Sequence, residues 1–215
     1  MPNAIRFAVC LSVGLVSSAA MAQSNVDTVN KYTWGENIGF MNWRDANSAL
    51  SGAAVNDTLG YLAGYAWCEN VGWLSLGSGN GRYANTNGSN YGVNVDSASG
   101  NLSGYAWGEN IGWVNFSGGA LATPSNPARF DFDERRFRGY AWGENVGWIN
   151  LDHGLIFVSA ACRSDFDGSG FVDTDDFTAF VIAFENGDEA CDIDGTGFVD
   201  TDDFTSFVIA FEFGC

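Results

Sequence analysis

Through residues 23–158 apolar and polar positions follow one another in short runs, and a helical period appears only near the C-terminus. The clearest run is 104–116, Gly-Tyr-Ala-Trp-Gly-Glu-Asn-Ile-Gly-Trp-Val-Asn-Phe. It recurs at 139–151, at 64–76 with Cys68 in place of Gly108, and in degenerate form at 32–43. Trp34, Trp67, Trp107 and Trp142 are the equivalent tryptophans, spaced by 33, 40 and 35 residues. Spacings of that size belong to repeat architectures, in which one supersecondary unit is used several times.

Within a unit, 102–107 and 111–116 are rich in aromatic and β-branched residues and read as strands. Gly108, Glu109 and Asn110 between them predict a hairpin turn, with Gly and Asn tolerating positive φ. A short strand precedes the hairpin in the last three units, at 53–55, 91–95 and 129–132, and 155–158 reads as a final closing strand. Alternation puts Tyr105 and Trp107 on one face and Leu102 and Ala106 on the other. Both faces are therefore apolar, as stacked units or units around a common core require. Gly104 and Gly112 read as a gap across the hairpin where a bulky ring covers the backbone. The tryptophans are predicted to be core and inter-repeat packing, so that Trp107→Ala would cost about 3–5 kcal/mol. The competing reading is an exposed stacking platform for sugar rings. The fold class is mainly β: a four-repeat antiparallel hairpin or meander domain, whether solenoid-, propeller- or barrel-like, followed by a small helical module.

The N-terminal end changes the picture first. Arg6, an apolar stretch from Phe7 to Val16 and Ala20-Met21-Ala22 have the order of a secretory signal peptide, which assigns residues 1–22. The β-repeat domain is then 23–158 and the C-terminal module 159–215, in a protein expected to be secreted, extracellular or at the cell surface. No later segment is long and apolar enough for a membrane span. The net charge of −17 repels nucleic acid and favours divalent cations. Of the 26 acids, 14 lie between Asp165 and Glu212. Cys162, Cys191 and Cys215 bracket that acidic stretch and suggest disulfide stapling there, with Cys68 as the odd member.

The acids are spaced for a purpose. Asp165, Asp167, Ser169, Asp173 and Asp176 occupy positions 1, 3, 5, 9 and 12 of a calcium loop, Gly170 is its turn glycine, and Phe171 offers a backbone carbonyl. The loop recurs with Asp192, Asp194, Thr196, Phe198, Asp200 and Asp203, and with Gly197 at the turn. Four carboxylates per loop repel one another until a hard dication neutralises them, so two Ca²⁺ ions are expected. After each loop an amphipathic helix is predicted, faced by Phe177, Phe180, Val181 and Phe184 and then by Phe204, Phe207, Val208 and Phe211. No helical pattern precedes either loop.

This double EF-hand arrangement of loop then helix, used twice, resembles the type I dockerin, the calcium-dependent module that docks cellulosomal enzymes onto cohesins. The resemblance implies that Thr174, Asp175, Thr201 and Asp202, at loop positions 10 and 11, contact the partner. Its departures are the phenylalanine-rich helices, the near absence of basic residues and the flanking cysteines. The upstream segments resemble repeats of the Gly-Tyr-Ala-Trp-x-Glu-Asn-Ile-Gly-Trp type in secreted bacterial proteins, and this implies no catalytic residues.

No nucleophile motif accompanies His153, the only histidine, or Lys31, the only lysine, and the chain is read as not an enzyme. The expectation is a secreted calcium-binding structural or surface-assembly protein. Its β-repeat body would be tethered or polymerised through the C-terminal module, by a protein partner or by self-association. The alternative is a carbohydrate-binding repeat module that carries a dockerin-like tag, with polysaccharide as its ligand.

Overall fold

A computed structural model describes residues 24–48, 51–57, 59–169, 171–193 and 197–213. The signal-peptide assignment, Gly170, Asp194, Thr196 and Cys215 lie outside the described residues. Four hairpins carry the body: β1 (Val26–Gly35) with β2 (Gly39–Asn42), β4 (Tyr61–Cys68) with β5 (Gly72–Gly77), β7 (Leu102–Gly108) with β8 (Gly112–Asn115), and β11 (Tyr140–Gly143) with β12 (Gly147–Asn150). They pair antiparallel in the order β1-β2-β4-β5-β7-β8-β11-β12, and β12 returns to β1 through Trp34↔Asn150 and Gly35↔Ile149. The result is a closed eight-stranded barrel, which leaves no free edge among these strands. Of the three architectures left open by the sequence, closure selects the barrel.

Short strands extend one end of it. β3 (Ala54–Asn56), β6 (Val93–Val95) and β9 (Arg129–Asp131) lie where the pattern predicts strands ahead of the hairpins. β10 (Arg136–Arg138) pairs with β9 and with β13 (Val158–Ala160). The closing strand therefore begins where it was expected to end: residues 155–157 are not strand, and Leu155 is exposed. β13 packs on β1, and the ring itself is sealed by β12.

The lumen is filled by small residues set against large ones. Ala66, Ala106 and Ala141 face Leu74, Val114 and Ile149 directly, and Thr33 faces Met41. A further layer holds Trp43, Leu76, Phe116 and Leu151, one from each hairpin and all buried. The Trp43 indole N–H donates to Thr33 Oγ1 at 2.8 Å, so these two buried polar groups satisfy each other.

That sidedness overturns the reading of the tryptophans as core. Alternation sends Ala106 inward, so its neighbours Tyr105 and Trp107 point out. Seven of the eight tryptophans, all but Trp43, lie on the outer wall at 37–43% exposure. Trp67 and Trp73, Trp107 and Trp113, and Trp142 and Trp148 are cross-strand pairs with ring centroids 4.9, 4.8 and 4.7 Å apart. An indole is too bulky for four copies to share this lumen, and Val, Leu, Ile and Met fill it instead.

The turns differ from expectation by one residue. Each consists of Glu, Asn and Ile or Val, such as 109–111, and positive φ falls on the following glycine: Gly39, Gly72, Gly112 and Gly147, at +71° to +89°. The apolar turn residue then folds back into the barrel mouth, where Ile38, Ile111 and Val146 are buried. Gly104 is not opposite Gly112; it too has positive φ, and a Cβ there would strike the Gly92 carbonyl rather than a ring. Each turn asparagine clasps the neighbouring hairpin. Asn70 donates to the Asn37 carbonyl at 3.5 Å, Asn110 to Val71 at 3.2 Å and Asn145 to Ile111 at 3.2 Å. Asn37 donates to Val146 at 3.1 Å and completes the circle.

A separate small core follows. α1 (Thr174–Glu185) and α2 (Thr201–Phe213) are the two predicted helices. Phe180 and Phe207 stack face to face between them, centroids 3.8 Å apart, with Cys191 and Ile193 buried alongside. Cys191 is a free thiol hydrogen-bonded to the Phe180 carbonyl, so it fills the core and staples nothing. Cys162 is disulfide-bonded. Cys68 is free inside the barrel, and burial pushes its thiol up to about 12. Among the described residues no helix is long and apolar enough to cross a membrane.

Candidate metal centre

The first acidic loop wraps around the start of α1. Asp173 is the N-cap: its Oδ1 accepts from the Asp175 amide at 2.8 Å, which satisfies one of the helix's orphan donors. Asp176 turns back and accepts from the amides of Asp167 at 3.0 Å and Asp173 at 2.8 Å. It is completely buried. Burial pushes its carboxyl up, but these amide hydrogen bonds more than offset that and hold it below the usual carboxylate range. An ionised carboxylate therefore sits beneath the loop.

Carboxylate oxygens of Asp165, Asp167 and Asp176 lie within 4.8 Å of one another. The set is all oxygen, without histidine or thiolate, which is the donor chemistry of a hard cation such as Ca²⁺. Ser169 stands at the rim, its amide donating to Asp167 Oδ1 at 2.8 Å and its hydroxyl facing the Phe171 carbonyl at 3.3 Å. Phe171 itself has its ring in solvent, as a residue serving through its backbone can.

The second loop repeats the frame. Asp203 is completely buried and accepts from the Asp200 amide at 2.8 Å, while Asp200 Oδ1 accepts from Asp202 at 2.8 Å. Asp192 Oδ2 accepts from the Gly197 amide at 2.9 Å, and Gly197 has the expected positive φ, +85°. Phe198 is exposed like Phe171, and Asp194 and Thr196 fall outside the described residues. Thr174, Asp175, Thr201 and Asp202 occupy the first turns of α1 and α2 with their side chains exposed. Thr174 and Thr201 accept through their carbonyls from Thr178 and Thr205, both at 2.9 Å, so the two helix starts match.

The pattern missed two contributors. Phe166 and Ile193, each at the second position of its loop, pack into the helix core; the Phe166 ring meets Phe180 at 5.3 Å and Phe207 at 6.1 Å. These residues tie loop geometry to helix packing, and their signal was an apolar residue locked between two aspartates in both copies. His153 accepts at Nδ1 from the amides of Leu155 and Ile156, both at 3.2 Å, which makes it a loop-folding residue. Compared with protein-family models, curated proteins and solved structures, the chain returns no match.

Proposed function

We propose that this is a secreted, calcium-dependent assembly protein, a rigid barrel held in place through its C-terminal helical module. The observation that carries the reading is the pair of wholly buried carboxylates, Asp176 and Asp203, each at the twelfth position of an acidic loop. Loop amides bond each of them, but further carboxylates crowd the same loops, and two Ca²⁺ ions would relieve that like-charge repulsion. Carbonyls of Phe171 and Phe198 and side chains of Asp165, Asp167, Ser169, Asp173 and Asp176, with their second-loop counterparts, would hold them. Binding free energy then becomes folding free energy for the module.

Folded, the module presents Thr174-Asp175 and Thr201-Asp202 as two matching polar corners, which suits docking of a protein partner or of another copy. The dockerin-like arrangement supports that use. The role is binding and assembly, not catalysis. Isothermal calorimetry on the full chain tests it: two Ca²⁺ ions per chain are expected, with size-exclusion elution that shifts to a more compact or larger species when calcium is added. No calcium uptake would overturn the reading.

A further inference from the structure

We propose that the outer wall of the barrel binds a neutral polysaccharide chain, with its principal site between the second and third hairpins. The inference rests on the barrel alone and not on the calcium module.

A groove of about 450 Å³ runs there, lined by Trp67, Trp73, Tyr91 and Trp107, with Glu109 and Asn110 along its rim. Half-exposed aromatic rings gathered in one groove mark a binding surface more than a core that failed to close. The rings are also held still. Trp67 meets Trp73 edge-on, Trp107 leans on Trp113 at 4.8 Å, and Tyr91 caps Trp113 at 5.1 Å. Rings fixed by neighbours lose little freedom when a ligand arrives.

The ligand is extended. A second hollow of about 580 Å³ shares Trp67 and adds Tyr32, Phe40 and Glu69. A third of about 300 Å³ shares Tyr91 and adds Tyr105 and Trp113 beside Asn85 and Asn87. Shared rings join the three hollows into one track around the wall, which a compact metabolite would not fill.

Chemistry narrows the class. The faces of these rings are electron-rich and suit the polarised C–H faces of pyranose rings. Carboxylate and amide groups at the rim suit sugar hydroxyls, as donors and acceptors on one scale. Among the described residues no lysine or arginine lines any of the three hollows, while Glu69 and Glu109 do. With a net charge of −17, that rim disfavours polyanions, anionic lipid and a second copy of itself.

The test is tryptophan fluorescence titration and affinity electrophoresis of the full chain. The probes are neutral β-glucan, xylan and mannan, each as polymer, hexamer and dimer. Polygalacturonate and vesicles of phosphatidylcholine with phosphatidylglycerol serve as contrasts. Expected is saturable binding of at least one neutral series, the hexamer about tenfold tighter than the dimer, with no response to the two contrasts. Trp107→Ala and Tyr91→Ala should each weaken it about tenfold, and Trp107→Phe should restore part. Tyr91 lies outside the wall strands, so its variant keeps the barrel folded. Trp142→Ala, on the fourth hairpin and outside all three hollows, should bind as the parent does. Binding should survive a calcium chelator. The inference is overturned if no neutral series binds, if the Tyr91 and Trp107 variants bind unchanged, if vesicles or polygalacturonate bind instead, or if chelation abolishes binding.

Discussion

The barrel and the helical module are both made by reusing one unit, yet they are held together by opposite means. The barrel closes on itself: backbone pairing seals every wall strand, four asparagine amides clasp the rim, and Thr33 and Trp43 pair their polar groups within an otherwise apolar set of described lumen residues. Several of its acids stand in exposed turns, while Asp57, Asp131 and Asp152 are partly buried against Arg135, Arg136 and Arg138. The module has a core of a few rings, the Phe180–Phe207 stack above all, and buries carboxylates under its acidic loops. A body of that size seldom folds on apolar burial alone and needs a staple or a metal. Repetition thus makes a self-sufficient fold when the copies close a ring. When two copies only face each other, the apolar core stays small, and on the proposed reading calcium supplies the shortfall.

The sharpest way to break this contrast is to swap an inward for an outward side chain. Phe116→Ala, in the sealed lumen, should cost about 3–5 kcal/mol and lower the barrel's melting temperature strongly. Trp107→Ala, half in solvent, should cost only about 1 kcal/mol, the value of its edge contacts. Equal losses in the two melts would mean that the wall rings hold the barrel together after all.

In the module, Asp176→Asn should remove one calcium site and about 2–3 kcal/mol, since Asp176 accepts charge-assisted hydrogen bonds from two amides. Far-ultraviolet circular dichroism should then show a lower helical transition with the barrel untouched. A smaller effect, about 1 kcal/mol, is expected when Asn110→Ala opens one clasp of the rim.

The weakest expected effect is one of pH. Burial pushes the Asp152 carboxyl up, but its hydrogen bond to Arg138 and the charges of Arg138 and Arg136 win and hold it low. A depressed carboxylate stabilises the fold above its unfolded value, roughly 3.9. That contribution is lost as pH falls from there through the folded value. Barrel stability should therefore dip below about pH 4, and Asp152→Asn should flatten the dip by less than about 1 kcal/mol.

Much of the module was legible because its chemistry is local. The spacing of the acids and the phenylalanine stripe that predicts the two helices both lie within twelve or so neighbouring positions. The hairpins were legible for the same reason, down to the three short strands ahead of them. Their sidedness was not. A two-class apolar/polar pattern counts Trp107 and Val114 alike, and only the diameter of a closed eight-stranded ring decides which of them fits inside. Closure itself, Trp34 against Asn150, joins residues from opposite ends of the domain, and no local pattern carries it. The alanine at the centre of each Tyr-Ala-Trp was the missed clue, since a small residue between two large ones marks the crowded face. The asparagine after each turn glutamate was another, taken for turn chemistry when its amide reaches the next hairpin.

One measurement bears most directly on the division between a self-sufficient barrel and a module proposed to depend on metal. The full chain is melted with and without a calcium chelator, while tryptophan emission follows the barrel and helical circular dichroism follows the module; every tryptophan lies in the barrel. The expected result is that chelation abolishes the helical transition and leaves the tryptophan transition where it was. A helical transition indifferent to the chelator, or two transitions that move together, would contradict it.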